Sequence, residues 1–192
     1  MTETLSDKEK IKVEMNVAGG VIMKRGEAGE LLVLLIQRAA DDHWPNHFEI
    51  PRGKCDGGEG ENNNKEKVIP CAKREIKEET GLDVIPIRFI DKFSYLADGG
   101  TRKSTQYNFL CKLKDPNQKI KLSKEHQDYK WVQSVGEIEL FTLPEIKKTI
   151  AKVLNPDEPI VVYPENELQD DVIKEDMVGT LVDYYIGLIK RC

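Results

Sequence analysis

Over the first two thirds of the chain, apolar residues fall into short alternating or continuous runs, and only in a few places into helical spacing. Val13, Met15 and Val17 alternate with polar neighbours and lead into Ala18-Gly19-Gly20-Val21-Ile22-Met23, so Lys12 to Arg25 reads as extended, with glycines that permit close backbone approach. A turn over Gly26–Glu30 separates it from Leu31–Ile36, whose unbroken apolar character predicts a strand covered on both faces. Phe48-Glu49-Ile50-Pro51 is a further strand-like stretch. Val84 to Leu96 is strand-rich and ends at Asp98-Gly99-Gly100, and Thr105–Leu113 alternates before the turn signal Asp115-Pro116-Asn117. Helical spacing places Ala72 and Ile76 on one face of a helix that starts near Val68, after a loop over residues 57 to about 67. It also places Ile146, Ile150 and Val153 on one face of a helix from Pro144 to Leu154.

This order of elements predicts one α/β domain over residues 12–154, preceded by a charged, mobile segment over 1–11. Asn155-Pro156 marks its end. Residues 155–192 form an extension, strand-like at Ile160–Tyr163 and helix-compatible from Asp171 to Lys190, that packs on the domain or on a partner; a homodimer contact or a substrate lid belongs there.

Composition narrows the partners. Among 192 residues, 29 basic and 34 acidic side chains leave a formal charge of −5, which argues against broad attraction to nucleic acid. Cys55, Cys71, Cys111 and Cys192 show no C-x-x-C spacing, so neither a zinc site nor a thioredoxin-like motif is expected. No apolar run approaches the roughly 18 residues that span a membrane, and the N-terminus lacks a signal-peptide core. A reducing compartment is expected, cytoplasmic or nuclear.

The chemistry concentrates in Arg74-Glu75-Ile76-Lys77-Glu78-Glu79-Thr80-Gly81-Leu82. On a helix Glu75, Glu78 and Glu79 project side by side, an arrangement that calls for a counter-charge, and Arg74 is placed to supply part of it. Clustered carboxylates select hard cations such as Mg²⁺ or Mn²⁺, which bridge protein carboxylates to phosphates.

This run resembles the signature of the Nudix hydrolases, G-x5-E-x7-R-E-U-x-E-E-x-G-U with U a bulky aliphatic. Arg74 to Leu82 fits at every fixed position; the upstream half fits in two ways. Gly53 and Glu59 keep the first spacing and follow the strand, but Arg74 then comes seven residues late; Gly60 and Glu66 keep both spacings within a glycine-rich run. Gly53 is the better structural glycine, and the choice between Glu59 and Glu66 stays open. The resemblance implies a mixed β-sheet sandwiched between α-helices, metal ligands Glu75, Glu78, Glu79 and the Gly53 carbonyl, and Arg74 orienting the carboxylates.

Glu125, six residues before Trp131 in Leu122–Val132, matches the position of a further family glutamate, either metal ligand or general base. One of Glu79, Glu75 or Glu125 takes the proton of the attacking water. Arg52 and Lys54 beside Gly53 are phosphate-binding candidates, as are Arg102 and Lys103 at a hairpin tip, and His126. Tyr95 is a candidate to stack on a base, and Trp44 and His47 either line a pocket or anchor their own loop. The implied activity is metal-dependent cleavage of a phosphoanhydride in a nucleoside diphosphate derivative. Ser-x-Glu-His-x-x-Tyr-x-Trp leans to dinucleoside polyphosphates such as diadenosine tetraphosphate. ADP-ribose or nucleotide sugars, capped RNA, and a nucleotide-binding module without hydrolysis are the alternatives.

Overall fold

The computed structural model describes residues 13–56 and 66–155. The readings made for residues 1–11, the bulk of the 57–67 loop, Glu59, Gly60 and the 155–192 extension past its first residue lie outside them.

Among the described residues, seven strands form one mixed sheet. Strand β1 (Val13–Arg25) turns into β2 (Leu31–Arg38) as an antiparallel hairpin, with Met23 opposite Val33. Two short strands follow, β3 (Phe48–Glu49) on the edge of β2 and β4 (Arg52–Lys54) on the first half of β1. Helix α1 spans Val68–Thr80. Strands β5 (Val84–Ala97) and β6 (Arg102–Leu113) make a second hairpin, closed by a 3₁₀ turn at Asp98–Gly100. β6 lies parallel to β1 from Val13↔Arg102 to Met23↔Lys112, and β7 (His126–Val132) pairs with β2. Helix α2 covers Pro144–Leu154.

Side chains alternate across the strands, and the alternation sorts the core into two layers. Ala18, Ile22, Leu34, Phe109 and Cys111 meet α1 through Ala72 and Ile76. Their neighbours Val21, Val33, Leu35 and Leu110 meet α2 through Ile146 and Ile150. The sheet is thus sandwiched between helices, as the family resemblance implied. Pro70 sits in the first turn of α1, where a missing N–H breaks no helical bond. Gly81 closes the helix at φ 72°, a left-handed conformation that its lack of a Cβ permits, and its N–H returns to the Lys77 carbonyl.

One reading is corrected. Arg102 and Lys103 do not sit at a hairpin tip but begin β6, because the turn is tighter than the glycines suggest and ends at Gly100. Cys55, just after β4, is disulfide-bonded to Cys71 in the first turn of α1. That bond closes the stretch between them, with a sequence separation of 16, and a loop of about that size stabilises by roughly 3 kcal/mol in the chain-entropy account. Cys55→Ser, or wild type with reductant, is expected to lose stability of that order in urea; coincident transitions would show that the crosslink adds nothing. No helix among the described residues is long and apolar enough to cross a membrane.

Candidate active site

Helix α1 delivers its acidic edge to the end of β4. Glu79 is almost buried, its side chain 9% exposed, and its Oε2 accepts the backbone N–H of Arg52 at 2.8 Å. Glu75 lies directly over Gly53, so that a Cβ there would fall on the Glu75 carboxylate. Glu78 is more open, at 59% exposed. Burial pushes the Glu79 carboxyl well above its ordinary range, and the Glu49 charge adds to this. Burial also raises Glu75, against the pull of Arg74.

Arg74 is the counter-charge that the spacing demanded. It donates to Glu75 at 2.8 Å, to Glu78 at 3.2 Å, to Glu66 at 3.1 and 2.6 Å, and to the Lys54 carbonyl at 3.0 Å. The hydrogen bonds from Arg74 hold Glu66 below its ordinary value. Glu66 also accepts the Asp56 N–H at 3.0 Å, which links the start of α1 to the end of β4. Gly53 thus lies under the Glu75 carboxylate and Glu66 meets the arginine, while Glu59 and Gly60 lie outside the described residues.

A second cluster lies beneath the first, and the sequence reading missed it. Glu49, 1% exposed, accepts Arg52 Nε–H on Oε2 at 2.9 Å and a Thr142 hydroxyl at 3.3 Å, and its Oε1 forms an ion pair with Arg38 Nε at 2.6 Å. His126 Nε2 stands 3.6 Å from Glu49 and 4.0 Å from Glu79. The available signal was a carboxylate between Phe48 and Ile50 in an otherwise apolar strand, with an arginine three residues on. Burial alone would raise the Glu49 pKa; Arg52, then His126 and Arg38, overcome it and bring it to about 2. A depressed folded-state pKa contributes stability that is present above the ordinary value of 4.5 and lost as pH falls through about 2. The stability difference between wild type and Glu49→Gln is therefore expected to shrink on acidification from pH 5 toward 2, as read from urea midpoints; a constant difference would exclude this linkage.

Both clusters border one cavity of about 740 Å³, whose lining includes Arg52, Gly53, Lys54, Glu75, Glu79, His43, Trp44, Tyr95, Arg102 and Glu125. Glu125 is 68% exposed and pairs with Arg38 at 3.4 Å. Arg102 pairs with Asp98 at 3.0 Å. Lys103, next along β6, is not among the lining residues. His126 is no phosphate ligand in this arrangement, because its ring is fully buried against Glu49 and Glu79. Tyr95 faces the cavity, whereas Phe109 is core and Tyr107 packs against the α1 layer. Trp44 is 42% exposed and His47 turns back to the Pro45 carbonyl at 2.9 Å, so of these two only the tryptophan lines the pocket.

Among the described residues no three histidine, cysteine or acidic side chains converge tightly enough to cage an ion by themselves. The donor set still fits a hard divalent cation. It consists of carboxylate and carbonyl oxygens, and Mg²⁺ binds through one or two carboxylates plus waters and substrate phosphates rather than an all-protein cage. The raised carboxyls of Glu75 and Glu79 are the groups a cation would relieve.

The family model of the NUDIX domain matches residues 15–154. The chain belongs to the Nudix hydrolase family. The asymmetrical bis(5'-nucleosyl)-tetraphosphatase of Mus musculus is 31% identical over 121 residues, which cover 61% of this chain and 74% of that protein. Its counterpart in Caenorhabditis elegans is 29% identical over 138 residues, or 70% and 91%. Among solved structures, a C. elegans Ap4A hydrolase binary complex superposes with a TM-score of 0.56 at 27% identity, covering 72% of this chain and 94% of the other. A NUDIX hydrolase from Nitrosomonas europaea superposes at 0.57 with 19% identity, covering 81% and 96%, which speaks to the fold alone. As a Nudix hydrolase the chain is a pyrophosphohydrolase. Counted from Gly53 to Glu66, the chain carries seven residues more than the family spacing.

Proposed function

We propose that this Nudix hydrolase uses Mg²⁺ or Mn²⁺ to cleave a phosphoanhydride bond in a dinucleoside polyphosphate such as diadenosine tetraphosphate. The observation that carries the reading is one cavity that brings together the acidic groups Glu75 and Glu79, the cationic groups Arg52 and Lys54, and the aromatic groups Tyr95 and Trp44. That combination suits a charged phosphate chain with an aromatic base at its end. The names of the mouse and nematode relatives point to the same substrate class.

Glu75, Glu79 and the Gly53 carbonyl would hold the cation, with Glu78 and Glu125 as further oxygen donors. When bound, such an ion neutralises phosphate oxygens and acidifies water. Arg52, Lys54 and Arg102 receive the phosphate chain, and Tyr95 and Trp44 receive a base. Arg74 keeps Glu75 and Glu78 in place and shields their mutual repulsion. The proton of the attacking water goes to Glu79, Glu75 or Glu125.

The test is a screen of purified protein with Mg²⁺ or Mn²⁺ against diadenosine polyphosphates, ADP-ribose, nucleotide sugars, nucleoside triphosphates, diphosphoinositol phosphates and capped RNA. Preferred cleavage of diadenosine tetraphosphate is expected. Preference for another class would replace the substrate, and nucleotide binding without any cleavage would make the chain a binding module.

A further inference from the structure

Glu49 contributes no surface to the cavity, yet two of the arginines that line it rest on its two oxygens. Stability does not call for such a residue, because well-packed apolar side chains commonly serve a buried position as well as an ion pair does. Its purpose lies in what it holds. The two arginines are spent differently. Arg38 stands with Nε as an ion-pair partner of Glu49 and donates from Nη1 to Asp42 at 3.3 Å and Glu125 at 3.4 Å, so it braces the loop that carries Trp44 and the turn that carries Glu125. Arg52 gives Nε to Glu49 and Nη1 to the Tyr95 hydroxyl at 3.1 Å. Guanidinium has five N–H donors, and the rest of those on Arg52 meet no partner among the described residues. Its backbone N–H, meanwhile, holds Glu79.

We propose that Glu49 is a positioning residue that locks Arg52 in place as the cation receiving the linear polyphosphate of the substrate, with Arg38 as the brace on the opposite carboxylate oxygen. This rests on the phosphoanhydride reading of the cavity. A guanidinium fixed at Nε presents its remaining donors in one plane, the geometry that phosphate oxygens take in pairs.

The probe is inorganic tripolyphosphate in Mg²⁺ buffer, its dissociation constant measured by calorimetry for wild type, Glu49→Gln, Arg52→Met and the double variant. Each single variant is expected to bind about tenfold more weakly, the scale of a lost charge-assisted hydrogen bond. The double variant is expected to bind no more weakly than Arg52→Met, because Glu49 acts through Arg52. Wild-type affinity in Glu49→Gln, additive losses in the double variant, or no tripolyphosphate binding by wild type would each overturn the proposal. Should Glu49→Gln fail to fold, Glu49→Asp keeps the charge but is too short to span both arginines, and it takes the same expectations. Since binding is read without turnover, the two readings separate. A chain that cleaves nothing yet shows this pattern keeps the positioning role, and one that cleaves while its tripolyphosphate affinity ignores Glu49 keeps only the hydrolase reading.

Discussion

Glu79→Gln is expected to lower turnover by about 10²- to 10⁴-fold, the range of a lost acid–base group, while leaving the protein folded. The residue sits where α1 meets β4, its Oε2 fixed by the Arg52 N–H, and Gln keeps that hydrogen bond while removing the charge. Burial makes the charged carboxylate unfavourable in the metal-free protein, so the variant should be as stable as wild type at neutral pH, or more so. The sign follows from linkage. A carboxyl raised in the fold contributes stability that is fully present below its ordinary value of 4.5 and lost as pH rises through the higher folded value. Metal-free wild type should therefore gain stability relative to the variant as pH falls toward 4.5. Turnover under saturating Mg²⁺ or Mn²⁺, beside thermal midpoints in chelator, decides the matter. Near-normal turnover would remove Glu79 from the machinery.

Gly53→Ala should abolish most activity by a different route. The added methyl would occupy the space of the Glu75 carboxylate. What yields is the far end of a flexible side chain, so the backbone pairing of β4 with β1 at Ala18 survives and the melting temperature should hardly move. The carboxylate, however, is displaced by roughly the size of a methyl group, and misplacement of about 1 Å can cost on the order of 10²-fold in rate. Because the substitution acts through Glu75, combining it with Glu75→Gln should add little. A fully active Gly53→Ala protein would mean that Glu75 reaches its place from elsewhere.

The half of the site on α1 was legible in the sequence because helical spacing converts directly into a shared edge, and a carboxylate row with an arginine four residues before Glu78 states its own electrostatics. Helix α2 was legible for the same reason, with Pro144 at its start and a stripe of Ile146, Ile150 and Val153. The choice between Glu59 and Glu66 was not, because spacing along the chain cannot say which carboxylate a guanidinium meets in space. Glu49 and Arg38 escaped because their meaning arises only when β2, β3 and β7 are laid side by side and a charge is found with no water around it. His126 escaped for a related reason. A histidine beside an exposed glutamate looks like a loop residue, yet it opens β7 and faces inward. The pairing of Cys55 with Cys71 could not be read either, since cysteine spacing does not determine connectivity.

That last bond gives the enlarged part of the box an unusual latitude. A backbone cut between Cys55 and Cys71 would leave β4 and α1 covalently joined, so nicked protein would migrate as one species without reductant and as two fragments with it. Growth of this stretch is equally well tolerated, since each doubling of a closed loop adds only about 0.6 kcal/mol of closure entropy. The crosslink makes the interior of the motif a place where evolution can change the length of the chain without disturbing the carboxylates on either side.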